Sequence, residues 1–236
     1  MKKILIIAAT HGDEKIGIEV IDELLKQGYE ASFDFIIANP RAEKRNVRFL
    51  DTDLNRAYPG DKLASSYEKR RASKILSIAQ KYQFVIDLHE AREGYDDFII
   101  IPKKHLPENF PVGSLNLDRV LLWPNPRGPL GGVVENAVEL EFGMKNRNRK
   151  IAVRKAVDIV KNFIENMDGE KCSSNPKQIF YVYGKIKVTK NANYLSRIKD
   201  FQEVQLQGEK FYPLLVNQYA DIGILCYKMK KIKNLS

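Results

Sequence analysis

The chain of 236 residues is long enough to bury a core without disulfides, as one large domain or a main domain with a small one. Its hydrophobic fraction of 44% and charged fraction of 29% match packed globular proteins, which excludes a disordered tail, a collagen-like repeat and a heptad rod. An excess of 39 Lys and Arg over 30 Asp and Glu leaves a net charge of +9, which invites a partner rich in phosphate or carboxylate.

Residues 4–9 form an apolar run of strand length. The run is too short for a leader peptide, and Asp13 and Glu14 follow it with no small-residue cleavage site. Ile18, Ile21, Leu24 and Leu25 then recur at helical spacing and stop at Gly28. Residues 33–38 read as a second strand, closed by Asn39-Pro40, and 41–65 as a long polar loop of the kind that tends to be functional. Ala72, Ile75, Leu76 and Ala79 mark a helix, and 84–88, 97–101, 119–123 and 133–142 are further strand candidates. A long helix from Ile151 through Ile164 ends near Gly169.

Strands alternating with helices predict an α/β domain with a mainly parallel sheet over 1–170. Residues 167–177 are the one linker-like stretch, and 176–236 read as a small β-rich domain with strands at 179–188, 204–207 and 212–216. The lysines between 228 and 233 read as a solvated tail. Cys172 and Cys226 lack any zinc-ribbon or disulfide pattern and predict packed thiols of a reducing compartment. No run approaches the ~20 apolar residues of a membrane span, so the expected location is the cytoplasm.

The chain has three histidines, and two of them, His11 and His89, directly follow strand candidates. The carboxyl ends of parallel strands open onto one edge, where α/β proteins bind ligands. Glu14 lies three residues after His11, so two histidines and a carboxylate can reach one ion, the ligand composition of a catalytic zinc. A lone strand-end histidine is more often structural; the pair with Glu14 weighs evenly between the two readings. His105 follows no such pattern and reads as a loop residue.

In the long loop, Arg48 and Arg56 suit an oxyanion or a substrate carboxylate. Surface ion pairs with Asp51 and Asp53 are the commoner fate of such arginines. Glu139 and Glu141 share one face of a strand, and either can serve as the proton acceptor that a hydrolytic metal site requires.

His11-Gly12-Asp13-Glu14, Asn39-Pro40-Arg41-Ala42, Asp51-Thr52-Asp53-Leu54-Asn55-Arg56, Asp87-Leu88-His89 and Glu141-Phe142-Gly143, in this order, resemble the succinylglutamate desuccinylase and aspartoacylase family of zinc-carboxypeptidase-like hydrolases. Tyr212-Pro213-Leu214-Leu215-Val216-Asn217 is similar to the β-domain segment of aspartoacylases. The resemblance implies a mixed, mostly parallel sheet flanked by helices with a small C-terminal β-rich domain. It implies one Zn2+ per chain held by His11, Glu14 and His89, Glu141 as general base and Arg48 polarising the scissile carbonyl. Asn55 and Arg56 would hold a carboxylate of the substrate. Arg92 and Tyr219 are further candidates for substrate contact; an ion pair with Glu90 or Glu93 competes for Arg92, and Asp221 stands where aspartoacylases place a tyrosine. Whether Arg127 reaches the substrate stays open.

The implied activity is hydrolysis of the amide bond of a small N-acyl amino acid or a related carboxylate-bearing amide, by metal-activated water. A carboxypeptidase-like peptidase acting on short peptides is the alternative. A catalytically lapsed, basic nucleic-acid-binding protein is the alternative from another class, disfavoured because the basic residues are scattered and lack interleaved aromatics. The reading expects no membrane partner and leaves homo-oligomerisation open, as it does the acyl group and the amine.

Overall fold

The computed structural model describes residues 3–91, 96–105, 109–125, 127–143, 148–167, 176, 178–188, 198–206 and 208–233. In chain order the first half holds β1 (Ile4–Ala8), α1 (Ile16–Lys26), β2 (Phe33–Ile37), α2 (Pro40–Arg45), α3 (Tyr67–Ala79), β3 (Phe84–Glu90) and β4 (Phe98–Ile101). The second half holds β5 (Arg119–Leu122), β6 (Ala137–Phe142), α4 (Arg149–Asn166), β7 (Gln178–Lys187), β8 (Val204–Leu206), β9 (Glu209–Leu214) and β10 (Ile224–Ile232). These strands form one sheet in the order β2-β1-β3-β6-β4-β5-β7-β10-β9-β8. β2, β1, β3 and β6 run parallel, β4 is antiparallel to β6, β5 and β7 continue parallel to β4, and β10, β9 and β8 add antiparallel pairs.

Central strands covered on both faces read as continuous apolar runs, which is why β1 was legible at once. One face, carrying Ile4, Ile6, Ile86, Leu88, Val138 and Leu140, packs against α1 and α4. The other carries Leu5, Ile7, Val85 and Ala137 against Ala72, Ile75 and Ala79 of α3. Toward the carboxyl ends this second face turns polar, because side chains two apart on a strand share a face: Asp87 and His89 follow Val85, and Glu139 and Glu141 follow Ala137. The β3–β6 register sets Asp87 beside Glu139 and His89 beside Glu141.

Three sequence expectations change. The stretch 41–65 contains α2 and a 3-10 turn at Leu54–Arg56. Asn39 accepts a hydrogen bond from the Ala42 N–H and Pro40 opens the helix, so Asn-Pro here is a cap rather than only a turn. The lysine-rich end is not a tail: it lies in β10, which pairs with β7 and β9 and buries Met229. Lys228 pairs with Glu209 at 2.7 Å, and Lys228 and Lys230 lie over the rings of Tyr183 and Tyr181, so apolar stems cover the sheet while ammonium groups stay wet. The strand expected over 133–142 starts at Ala137 as β6, preceded by a 3-10 turn at Leu130–Gly132. Most of 167–177 lies outside the described residues, as does Cys172; β7 beyond it pairs with β5 in the same sheet. Cys226 is buried. No helix among the described residues is long and apolar enough to cross a membrane.

The loop before α3 is tied down by one carboxylate. Glu68, fully buried on α3, accepts hydrogen bonds from the N–H groups of Leu50 (2.8 Å), Asp51 (3.1 Å) and Thr52 (3.2 Å) and from Asn39 Nδ2 (3.3 Å). Replacement by alanine strands these donors, so Glu68→Ala is expected to cost about 3–5 kcal/mol and to lower Tm by on the order of 10 °C in calorimetry. Glu68→Gln, which keeps one acceptor oxygen, is expected to lose less.

Candidate active site

The strand ends build a metal-sized group. After β1 the backbone turns through Ala9 at φ 53° and delivers His11 to the sheet edge. Gly12 follows where a Cβ would lie 2.3 Å from the backbone of Ala42 and Glu43, so only glycine lets His11 sit against α2. The Gly12 N–H donates to the Arg48 carbonyl at 3.1 Å, which fastens the arginine loop beside the histidine. His11 Nδ1 lies 2.6 Å from Glu14 Oε1, and His89 Nδ1 lies 3.0 Å from Glu14 Oε2. One donor atom from each of the three residues falls within 4.8 Å of the others, so the group can hold a metal ion. The Glu90 N–H donates to Glu14 at 3.1 Å.

A carboxylate stands behind each imidazole. Asp53 Oδ1 is 3.1 Å from His11 Nε2, and Asp87 Oδ2 is 3.2 Å from His89 Nε2, with Asp87 itself accepting from the Thr10 hydroxyl at 2.9 and 3.0 Å. This is the outer arrangement that orients metal-binding histidines and raises their basicity. Burial works against the charged imidazoles, yet Glu14 and Asp53 raise His11, and Asp87 and Glu14 carry His89 well above its ordinary value. Burial likewise opposes ionised Glu14 and Asp53, but His11 and His89 together hold the Glu14 carboxyl well below the usual range, and His11, Arg48 and Arg56 do the same for Asp53.

These shifts set the pH response of the metal-free protein. Both histidines are raised above 6.5, so their contribution to stability is complete below that value and is lost as pH rises through their folded values. Glu14 and Asp53 are depressed, so they contribute above the ordinary carboxylate range and lose that contribution only in acid. Chelator-treated protein is expected to melt highest between about pH 5 and 6.5 and to lose Tm toward pH 8. Metal needs neutral imidazoles, so the Tm gained on adding it grows with pH. Calorimetry across this range, with and without chelator, reads both slopes; a chelated protein that gains Tm with rising pH contradicts the account.

A cavity of about 250 Å³ opens beside this group, lined in part by His11, Glu14, Arg48, Asn55, Arg56 and Glu141. Glu141 is pushed up to about 7, chiefly by desolvation, with Glu14 and Glu139 adding and His89 opposing. Arg48 reaches Glu14 at 3.5 Å and Asp53 at 3.3 Å, so it is both ion-paired and at the cavity. Arg56 donates to the Asn55 carbonyl at 2.9 Å. The opposite wall is aromatic: Trp123 stands edge-on to Tyr227 at 4.5 Å, and Tyr219 edge-on to the same ring at 6.1 Å.

The structure thus places His11, Glu14, His89, Arg48, Asn55, Arg56, Glu141 and Tyr219 together. Arg92 lies outside the described residues, as does the side chain of Asp221. Arg127 is exposed and is not among the described residues lining the cavity, and His105 is exposed. Glu90 turns to Arg149 and to the N–H groups of Lys15 and Ile16 at the start of α1. Sequence reading assigned no role at the site to Asp87, Trp123 or Tyr227. Asp87, two residues before His89 on one face, was open to a period-two argument; the aromatic wall joins segments with no local signal.

Residues 1–112 match the model of the succinylglutamate desuccinylase/aspartoacylase catalytic domain. An aspartoacylase of Xenopus tropicalis is 25% identical, over 82% of this chain and 72% of its own length. An N-acyl-aromatic-L-amino acid amidohydrolase (carboxylate-forming) of Xenopus laevis is 24% identical, over 91% of this chain and 80% of its own. The crystal structure of the succinylglutamate desuccinylase from Chromobacterium violaceum superposes with a TM-score of 0.79 at 20% identity, covering 100% of this chain and 86% of that one. With the matched segment 1–112, relatives that align over most of both chains and the shared fold, the chain is similar to proteins of the succinylglutamate desuccinylase/aspartoacylase family.

Proposed function

We propose that the protein is a zinc-dependent amidohydrolase that cleaves the amide bond of a small N-acyl amino acid, releasing a carboxylate and a free amine. One observation carries this reading: His11 and Glu14 of the buried His-Glu-His group line a small cavity together with Glu141, a carboxylate pushed up to about 7. The donor set fits zinc, since two imidazoles and one carboxylate are the number and kind of ligands that catalytic zinc takes, and each imidazole has a carboxylate behind it. A zinc ion bound there supplies Lewis-acid polarisation of the carbonyl and lowers the pKa of water toward ~7.

The chain's own groups do the rest. Glu141 takes the proton of the attacking water and returns it to the leaving nitrogen. Arg48 stabilises the negative charge that develops on the carbonyl oxygen. Arg56 holds a carboxylate of the substrate in a charge-assisted pair, while Tyr219 and the aromatic wall enclose the rest. The names of the Xenopus relatives, aspartoacylase and N-acyl-aromatic-L-amino acid amidohydrolase, support the reaction class. A cavity this small favours a small amide over a polypeptide.

The test is release of free amine from a panel of N-acyl amino acids by zinc-loaded protein, with and without chelator. Chelator-sensitive release on at least one member is expected. A protein that binds stoichiometric zinc and hydrolyses none of them, or that works equally well with chelator, refutes the reading.

A further inference from the structure

Helix α1 opens without a cap of its own. Lys15, the residue before it, makes no capping hydrogen bond with its side chain, which reaches instead to the Glu43 carbonyl at 3.0 Å and the Glu43 carboxylate at 2.8 Å. The cap comes from Glu90, 75 residues further along: its Oε2 accepts from the N–H groups of Lys15 and Ile16, each at 3.1 Å, so a carboxylate occupies the positive end of the helix. The main chain of the same residue serves a second bond, its N–H donating to Glu14 Oε2 at 3.1 Å. Glu14 and Glu90 are thus clasped in both directions, the side chain of each accepting from backbone at or beside the other. Glu14 also donates its own N–H to the His11 carbonyl at 3.1 Å, so the clasp fixes a turn that carries two of the three metal donors, and Glu90 directly follows the third, His89.

The other oxygen of Glu90, Oε1, pairs with Arg149 at the start of α4, which also binds Glu19 of α1 at 3.1 and 3.2 Å. Both carboxylate oxygens therefore hold the chain together. Glu90 borders the cavity, yet its place there is that of a brace and not of an acid or base.

We propose that Glu90 is the positioning residue of the metal group: through its own N–H and those of Lys15 and Ile16 it holds Glu14 against His89, so that the three donors are arranged before a metal ion arrives. The inference rests on the metal centre of the amidohydrolase reading and names the residue that sets its affinity. A carboxylate without such a brace loses conformational freedom when it binds an ion, and partners that orient metal ligands are worth on the order of 10–100-fold in metal affinity.

The experiment is competitive zinc titration against a chromophoric chelator, together with the visible spectrum of the cobalt(II)-loaded protein, whose bands follow the geometry of the donors. Glu90→Ala is expected to lower zinc affinity by roughly tenfold or more and to alter the cobalt spectrum. Glu90→Gln, which keeps an oxygen for Lys15 and Ile16, is expected to fall between that variant and the unaltered protein. Glu19→Gln removes a charge that Arg149 meets on α1 and leaves the clasp in place, so its zinc affinity and cobalt spectrum are expected to match the unaltered protein. Unchanged affinity and spectrum in Glu90→Ala overturn the inference, as does an equal loss in Glu19→Gln, which marks general loosening of α1 against α4. If circular dichroism shows that Glu90→Ala does not fold, Glu90→Gln decides: zinc binding weaker than in Glu19→Gln supports the brace, and equal binding overturns it. Zinc affinity that falls in Glu90→Ala, with no hydrolysis of any N-acyl amino acid by the unaltered protein, rejects the amidohydrolase and keeps the positioning role. Hydrolysis with zinc affinity unchanged in Glu90→Ala does the reverse, and an unaltered protein that binds no zinc rejects both.

Discussion

Glu141→Gln is expected to lower kcat by at least ~10²-fold while leaving stoichiometric metal bound, because it removes general acid and base catalysis. The argument is positional first. Glu141 stands beside His89 across the β3–β6 pair and lines the cavity, yet the metal-sized group is made by His11, Glu14 and His89 without it. Glutamine has the shape of glutamate and cannot take a proton. Desolvation pushes Glu141 up to about 7, near the pH at which a proton acceptor works best. A bound dication lowers that value, so the acid limb of the rate profile falls at or below pH 7 and activity declines as pH drops through it. Metal analysis on the same sample as the kinetics separates the outcomes: near-normal turnover sinks the assignment of the base, and loss of metal reassigns Glu141 to the metal group.

His89→Ala is expected to abolish stoichiometric metal binding and, with it, detectable hydrolysis. His89 is fully buried, and its two ring nitrogens face Glu14 and Asp87. Alanine removes a metal donor and leaves Asp87 without the imidazole it backs. The loss should exceed that of Asp87→Asn, for which a change behind a metal ligand predicts a 10–100-fold fall in metal affinity, roughly. Metal titration followed by atomic absorption and by the Tm gained on zinc addition measures both variants. An alanine variant that still holds one zinc per chain contradicts the metal centre.

The order of effects follows from how much each group is shared. Glu14 is held by His11, His89, the Glu90 N–H and Arg48, so the metal-free site is a closed network of opposite charges rather than a set of waiting ligands. A metal ion replaces contacts among these groups, which is why proton release and pH-dependent affinity belong to the same prediction as stability.

Much of this was open to the sequence. The apolar runs of β1 and β3, the histidines that directly follow or close them and the Glu14 spacing are local patterns, and strand period and helix period express them without knowledge of the fold. The general base was narrowed to Glu139 or Glu141 by strand alternation alone, but alternation cannot separate two residues on one face. Other features resisted for physical reasons. A dense run of lysines masked β10, because stems that cover Tyr181 and Tyr183 look like solvated charge until the rings are in place. Asn39-Pro40 is both a turn and a helix cap, and the packing of the following helix against Gly12 selects the cap. Glu68 carried no motif, since its partners are backbone N–H groups of a loop whose course depends on that same carboxylate.

The sequence by itself therefore determined which chemistry the chain carries: two histidines and a glutamate at the edge of an α/β sheet, arginines in a long loop, and a pair of carboxylates on a later strand. Only the tertiary structure decided how these groups are used. Parallel pairing of β3 with β6 set His89 beside Glu141 and Asp87 beside Glu139. Docking of the 46–56 segment brought Asp53 behind His11. Convergence of β5 and β10 raised the aromatic wall. The reason lies in range: residue type and spacing act within a few residues, whereas the orientation of a polar side chain is set by partners brought together when distant strands bury their apolar faces.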